Sequence, residues 1–280
     1  MLLAGLGFVA LAAIPAAQYI NGPSAEEQLY LDGVAALHAG ELSDAIDSFN
    51  RSLETSDDPI HAHFARGVAN LMRKEYSSAI EDFLRVKQEH RGKTTSECLA
   101  FAFWEIREIE SARSHYFQAG NLASGPERAR MFLNRANVSR RLRQYEDCQA
   151  MAKRAIEEDP NNQAANQFRA RLLFSDSTKK YLTASEARHN IDRALAAGAT
   201  NWLLESDAAQ VYSKLSEETG EDFSQVIVDH LRNAAAMGQP ARQIIHAQWI
   251  PQYVDPEALL TLRESENEMG EVGPFLTPPN

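Results

Sequence analysis

Cysteine is nearly absent from this chain: its 280 residues hold two, Cys98 and Cys148. That is too few for a disulfide framework, and their spacing is not that of a zinc site. Whether the two pair or stay free is open. Positive charge is in the minority, with 28 Lys and Arg against 39 Asp and Glu, for a formal charge of −11. A nucleic acid would have to be held by a local basic patch against the overall field, so none is expected as a partner. The usual catalytic signatures are missing too: no HExxH, no GxSxG, no P-loop spacing. The carboxylates are scattered along predicted helical exteriors, and no two of them form a pair suited to acid–base work. His61 and His63 are the only close histidine pair. Two residues apart on a helix they point about 200° from one another and cannot share a metal. No enzyme activity, metal or cofactor is expected.

Charge is also missing between Met1 and Ile20. The run LLAGLGFVALAAIPAAQYI is long enough, at about 1.5 Å per residue, to approach the thickness of a bilayer core. It lacks the basic start and the A-x-A site of a typical signal peptide. No Lys or Arg flanks it, so its orientation is weakly determined. Residues 1–20 are read as a signal anchor or a signal peptide, with a buried segment as the third alternative. The chain is accordingly expected to be membrane-anchored through residues 2–20 or exported to an extracytoplasmic space.

What the chain does have is a repeat. Gly33 recurs as Gly67, Leu37 as Leu71, Ala45 as Ala79 and Phe49 as Phe83, each pair 34 residues apart. Small residues sit where two helices of a hairpin must approach closely. Phe49 and Phe83 follow the alanines by four residues, on the same helical face, and are predicted to fill the space between hairpins. Gly40 breaks the first pair of helices, and Pro59 starts the next.

Arg66-Gly67 and the run from Tyr76 through Ala79 to Phe83 resemble the tetratricopeptide repeat. Downstream, the junction AIEEDPNNQAA from Ala155 to Ala165 is similar to the family's inter-repeat link, with Tyr145, Cys148 and Ala155 in the preceding second helix. A third unit is read over Thr94 to Gly125 from Ala112, Tyr116 and Ala119. A fifth carries Ala170, Ala187, Ile191 and Ala194, with SDSTKKYLT as a longer turn. A sixth carries Ile227, Leu231 and Ala234 after a turn at Gly220. The resemblance implies an all-α, right-handed α-solenoid of about six hairpins over residues 24–238, preceded by the apolar N-terminal helix. Residues 239–262 are read as a capping helix or segment, and 263–280 as a disordered acidic tail. The capping phrase loosely resembles the tetratricopeptide tails of bacterial membrane-spanning serine/threonine kinases, which implies a bacterial origin.

The family lines its concave groove with one face of each first helix. Counted from Ala129, that face in the fourth unit carries Arg130, Asn134, Asn137, Arg140 and Arg141. The fifth unit adds Gln167 and Arg171, while Phe101 and Trp104 of the third add apolar surface. Between Gly125 and Arg171 there are ten Lys and Arg against six Asp and Glu, a basic strip in an acidic chain. Arginine forks suit carboxylates, so the expected partner is a protein or peptide, and an acidic one if the strip is used. The family's clamp for chaperone C-termini is not reproduced, because Tyr30 and Val34 stand at its lysine and asparagine positions. The bland alternative is that these arginines pair with carboxylates across hairpins or solvate a helix face. The implied function is a non-catalytic interaction scaffold. The rival is a structural or sensory tether of a larger membrane signalling assembly.

Overall fold

The computed structural model describes residues 23–55, 59–86, 92–175, 177–198 and 200–239. Among these lie twelve α-helices, two short 3₁₀ turns and no strand. The chain divides into two compact units, one ending at Gln144 and the other beginning at Tyr145. The first holds α1 (Ala25–Ala39), α2 (Leu42–Thr55), α3 (Ile60–Met72), α4 (Tyr76–Arg85), α5 (Lys93–Glu105), α6 (Ile109–Leu122) and α7 (Gly125–Arg141), each packed on the next. The second holds α8 (Tyr145–Glu158), α9 (Gln163–Arg171), α10 (Ala184–Ala196), α11 (Trp202–Thr219) and α12 (Ser224–Ala236), again packed in succession. The twelve described helices match the six pairs expected from the repeat. Helices α7 and α8, the expected fourth pair, fall on either side of the division. The apolar run 1–20, the capping segment past Gln239 and the tail 263–280 lie outside the described residues.

The array begins at a capping box. The Ser24 hydroxyl accepts from the Glu27 amide at 3.2 Å, and the Glu27 carboxylate accepts from the Ser24 amide at 2.7 Å. Helix α1 then ends at Gly40, whose φ of 80° is a left-handed conformation. The Gly40 amide donates to Leu37 O and the Glu41 amide to Ala36 O, the paired bonds of a Schellman turn. The same two bonds recur at Lys74/Glu75, Arg107/Glu108 and Arg143/Gln144. There the left-handed residue is Lys74 (φ 65°), Arg107 (φ 66°) or Arg143 (φ 58°) instead of glycine. A glycine-based reading finds the first turn and misses the identical geometry of the other three.

Close approach explains the glycines inside the helices. A Cβ on Gly33 would lie 2.6 Å from Phe49 Cε1, and one on Gly67 would lie 2.8 Å from Phe83 Cε1. Both phenylalanines are fully buried, as are Ala45 and Ala79. Tyr30 packs on Phe49 with ring centroids 5.9 Å apart, and Phe64 on Phe83 at 5.8 Å. Asp82 is a buried carboxylate in this core, 2% exposed. Arg66 donates to it from Nη2 at 2.6 Å and from Nε, Asn70 donates at 3.1 Å, and His63 Nδ1 lies at 3.2 Å. Arg66 Nη1 also reaches Asn50 Oδ1 at 2.6 Å. One carboxylate thus ties α3 to α4, and its arginine carries the link on to α2. His61 faces elsewhere, edge-on to Tyr30.

In the second unit the fully buried Ile191, Leu204, Val211, Ile227 and Leu231 form the apolar interior of α10 to α12. The long turn expected in the fifth pair is two 3₁₀ turns, Leu172–Phe174 and Lys179–Tyr181. Thr178 closes it by donating to Leu172 O at 2.5 Å, and Leu182 is buried beneath it. Helix α10 starts at a second capping box, Thr183 with Glu186. Gly220 ends α11 in the left-handed region, at φ 75°.

Candidate functional site

The residues read as a groove divide between the two units. In the first unit they lie on α5 and α7. Helix α5 is buried from Thr95 to Ala102, so its sequence shows no amphipathic stripe. Phe101 belongs to this buried run and packs edge-on against Tyr76 at 6.1 Å. It is core, and the expectation that it offers groove surface is corrected. Trp104, one turn on, is half-buried. Helix α7 begins with Pro126 in its first turn and ends with Arg140 and Arg141 in its last, where cations complement the helix dipole.

Arg130 forks onto Glu97, Nη2 to Oε2 at 3.0 Å and Nη1 to Oε1. Glu97 is 6% exposed, so the pair fixes α7 to α5. The bland reading therefore holds at Arg130. Asn137 turns back along its own helix and donates to Leu133 O at 3.1 Å. Asn134 is half-buried, and Arg140 is exposed. Arg141 is different. Its guanidinium lies 4.5 Å from the centroid of the Trp104 ring, and no carboxylate among the described residues pairs with it. An exposed cation is thereby held flat over a half-exposed aromatic ring.

In the second unit both predicted residues converge on one carboxylate. Gln167 Nε2 donates to Asp207 Oδ2 at 2.7 Å, and Arg171 Nε lies 3.6 Å from the same oxygen. Asp207 is 5% exposed, and burial raises its pKa despite Arg171 and Gln167. Here too the cation has an internal partner. A similar buried carboxylate, Glu205, is met by His230 Nδ1 at 2.7 Å.

Neither cysteine is in a disulfide, and both are buried. Burial, with Glu97 alongside, pushes the Cys98 thiol up to about 12, away from nucleophilic use. Among the described residues no cluster of three or more His, Cys, Asp or Glu is placed to hold a metal. No described helix is long and apolar enough to cross a membrane, and the run 2–20 lies outside that set.

What the sequence missed are the acceptors. Glu97 and Asp207 stand 33 and 36 residues from Arg130 and Arg171, close to the 34-residue register of the repeat. That spacing was the available signal: a side chain on one first helix meets its counterpart on the next.

Neither a family model nor a curated protein matches the chain. Solved structures do. The chain is similar to PilF of Pseudomonas aeruginosa, with a TM-score of 0.55 and 17% identity over 87% of this chain and 97% of that one. It is similar to the MamA protein, with a TM-score of 0.54 and 15% identity over 61% and 91%. It is also similar to YrrB, described as a TPR protein with an unusual peptide-binding site, at 0.53 and 11% identity over 78% and 99%. The fold is therefore that of the tetratricopeptide-repeat proteins, an α-solenoid of paired helices.

Proposed function

We propose that this chain is a non-catalytic scaffold that binds an extended protein segment along the first-helix face of its first unit. The observation that carries this is Arg141 stacked on Trp104. The pair offers an unneutralised guanidinium fork and an apolar ring side by side, held before a partner arrives. An acidic side chain would meet the fork, while a neighbouring apolar side chain meets the ring. Arg140 and Asn134 extend the same surface, whereas Arg130 and Asn137 support it through their internal bonds. The YrrB peptide-binding site is a precedent on the same fold and supports the reading at that level.

The test is a peptide array with free acidic and apolar positions, followed by affinity measurements on the best binders at low and high salt. Arg141→Glu is expected to weaken binding at least tenfold, about 1.4 kcal/mol, with thermal stability unchanged. Retained binding by Arg141→Glu together with Trp104→Ala would defeat the assignment. Tethering through residues 2–20, or membership of a larger signalling assembly, is the part of this proposal that rests on sequence. Membrane fractionation of the full chain against one starting at Asn21 tests it: equal solubility of the two counts against an anchor.

A further inference from the structure

The second unit contains a cleft of about 530 Å³ between α8, α9 and α10. Two of these helices, α8 and α10, are the second helices of their pairs and carry no residue of the groove reading, while α9 carries Gln167 and Arg171. The cleft's volume is within the range of small-molecule sites. One wall is apolar, from Ile156 and Pro160. Lys153, Arg169 and Arg193 supply cations, and Glu157 and Glu186 supply carboxylates.

Arg169 is the unusual member. Its side chain is 10% exposed, and its Nη1 is buried without a hydrogen-bond partner among the described residues. Such a group carries an uncompensated desolvation penalty, larger when it is charged. The nearest carboxylate does not resolve it. Glu186 Oε1 stands 3.6 Å from Nη2, while Glu186 Oε2 accepts from the Thr183 amide at 3.0 Å in the cap of α10. Burial of a guanidinium with an open donor, on the wall of a cleft, is the arrangement expected where a ligand supplies the missing acceptor.

Charge selects the ligand class. The three cations and two carboxylates of the lining leave an excess of one positive charge. Lys153 stands 3.9 Å from Glu157, and no carboxylate among the described residues pairs with Arg193. One excess charge suits a single carboxylate better than a dianion, and the Ile156–Pro160 wall suits an organic body attached to it. We infer that this cleft is a second binding site, specific for a monocarboxylate with an apolar body. The carboxylate meets Arg169 and Arg193, and the body lies against Ile156 and Pro160. A free small acid and the C-terminus of a peptide share this chemistry.

The experiment titrates the full chain calorimetrically with N-acetyl-leucine, its amide, a tripeptide ending in a free leucine, and inorganic phosphate. Saturable binding of either acid, with the amide at least tenfold weaker, is expected. Binding by N-acetyl-leucine identifies a small-acid site, and binding by the tripeptide alone identifies a peptide terminus. Arg193→Gln should weaken the acid at least tenfold with an unchanged melting temperature. Arg169→Met should abolish binding, and it should keep or raise the melting temperature because it removes the unpaired donor. No acid binding up to about 10 mM overturns the inference. So does equal binding of acid and amide, or phosphate binding more tightly than either acid. The groove variant Arg141→Glu should leave this binding intact, which separates the two sites.

Discussion

Replacing Gly67 by alanine sets two effects of opposite sign against each other. In an exposed helix the change would stabilise by about 1 kcal/mol, because alanine loses less backbone freedom on folding. Here the added Cβ would sit 2.8 Å from Phe83 Cε1 and 3.0 Å from Cδ1. The ring cannot retreat easily, since Phe83 is fully buried and Phe64 packs on it. Overpacking of such a core costs about 1–3 kcal/mol. A contact under 3 Å on an enclosed ring belongs at the upper end, so the net expectation is destabilisation of about 1–2 kcal/mol. Gly33→Ala, at 2.6 Å from Phe49, should cost as much or more. Gly120→Ala, at 3.3 Å from Phe132, should be near neutral. Urea midpoints followed by circular dichroism rank the three. Phe83→Leu, which shortens the obstructing ring, should make Gly67→Ala cheaper, so the double variant is less than additive. A raised midpoint for Gly67→Ala, or strict additivity with Phe83→Leu, would refute the close-approach argument.

Lys74→Gly relieves a left-handed L-residue and should stabilise by about 0.5 kcal/mol, less than the full left-handed penalty because glycine also frees the unfolded chain; a lowered melting temperature speaks against it. Asp207 has a folded pKa raised by burial, so its contribution is greatest below about 3.9 and is lost as pH rises through the folded value. The stability of Asp207→Asn relative to the parent should therefore grow between acid and neutral pH, and a flat difference across melting curves would contradict this. Native Cys98 should resist thiol reagents at pH 8 and react on unfolding, because its thiol is pushed up to about 12; fast labelling of the folded chain would show the burial to be wrong.

The fold was legible where the repeat is written in steric terms. Gly33 with Phe49, and Gly67 with Phe83, announce a small-to-large contact that the structure shows at van der Waals limits. The turns at Lys74, Arg107 and Arg143 were not legible, because any residue reaches the left-handed region for about 1–2 kcal/mol when the surrounding bonds demand it. The arginines of the candidate groove were legible as a face and not as partners. Whether Arg130 is available depends on Glu97 being buried beside it, and a charged residue in a run without amphipathic pattern gives no such sign. Arg169 fell inside the basic strip without being singled out, since its distinction is an unmatched donor, a property of packing alone.

The four matching Schellman turns make the pair of helices a unit of exchange. Excision of residues 41–74 would join Gly40 directly to Glu75, handing the chain from α1 to α4 through an unchanged backbone frame. Gly33 would then receive Phe83 in place of Phe49, and Tyr30 would take the place of Phe64. Lineages carrying such junctions can lengthen or shorten by whole pairs through unequal recombination, with no new turn to invent. The spacing of any surface built on the first helices would change in fixed steps, like links removed from a chain.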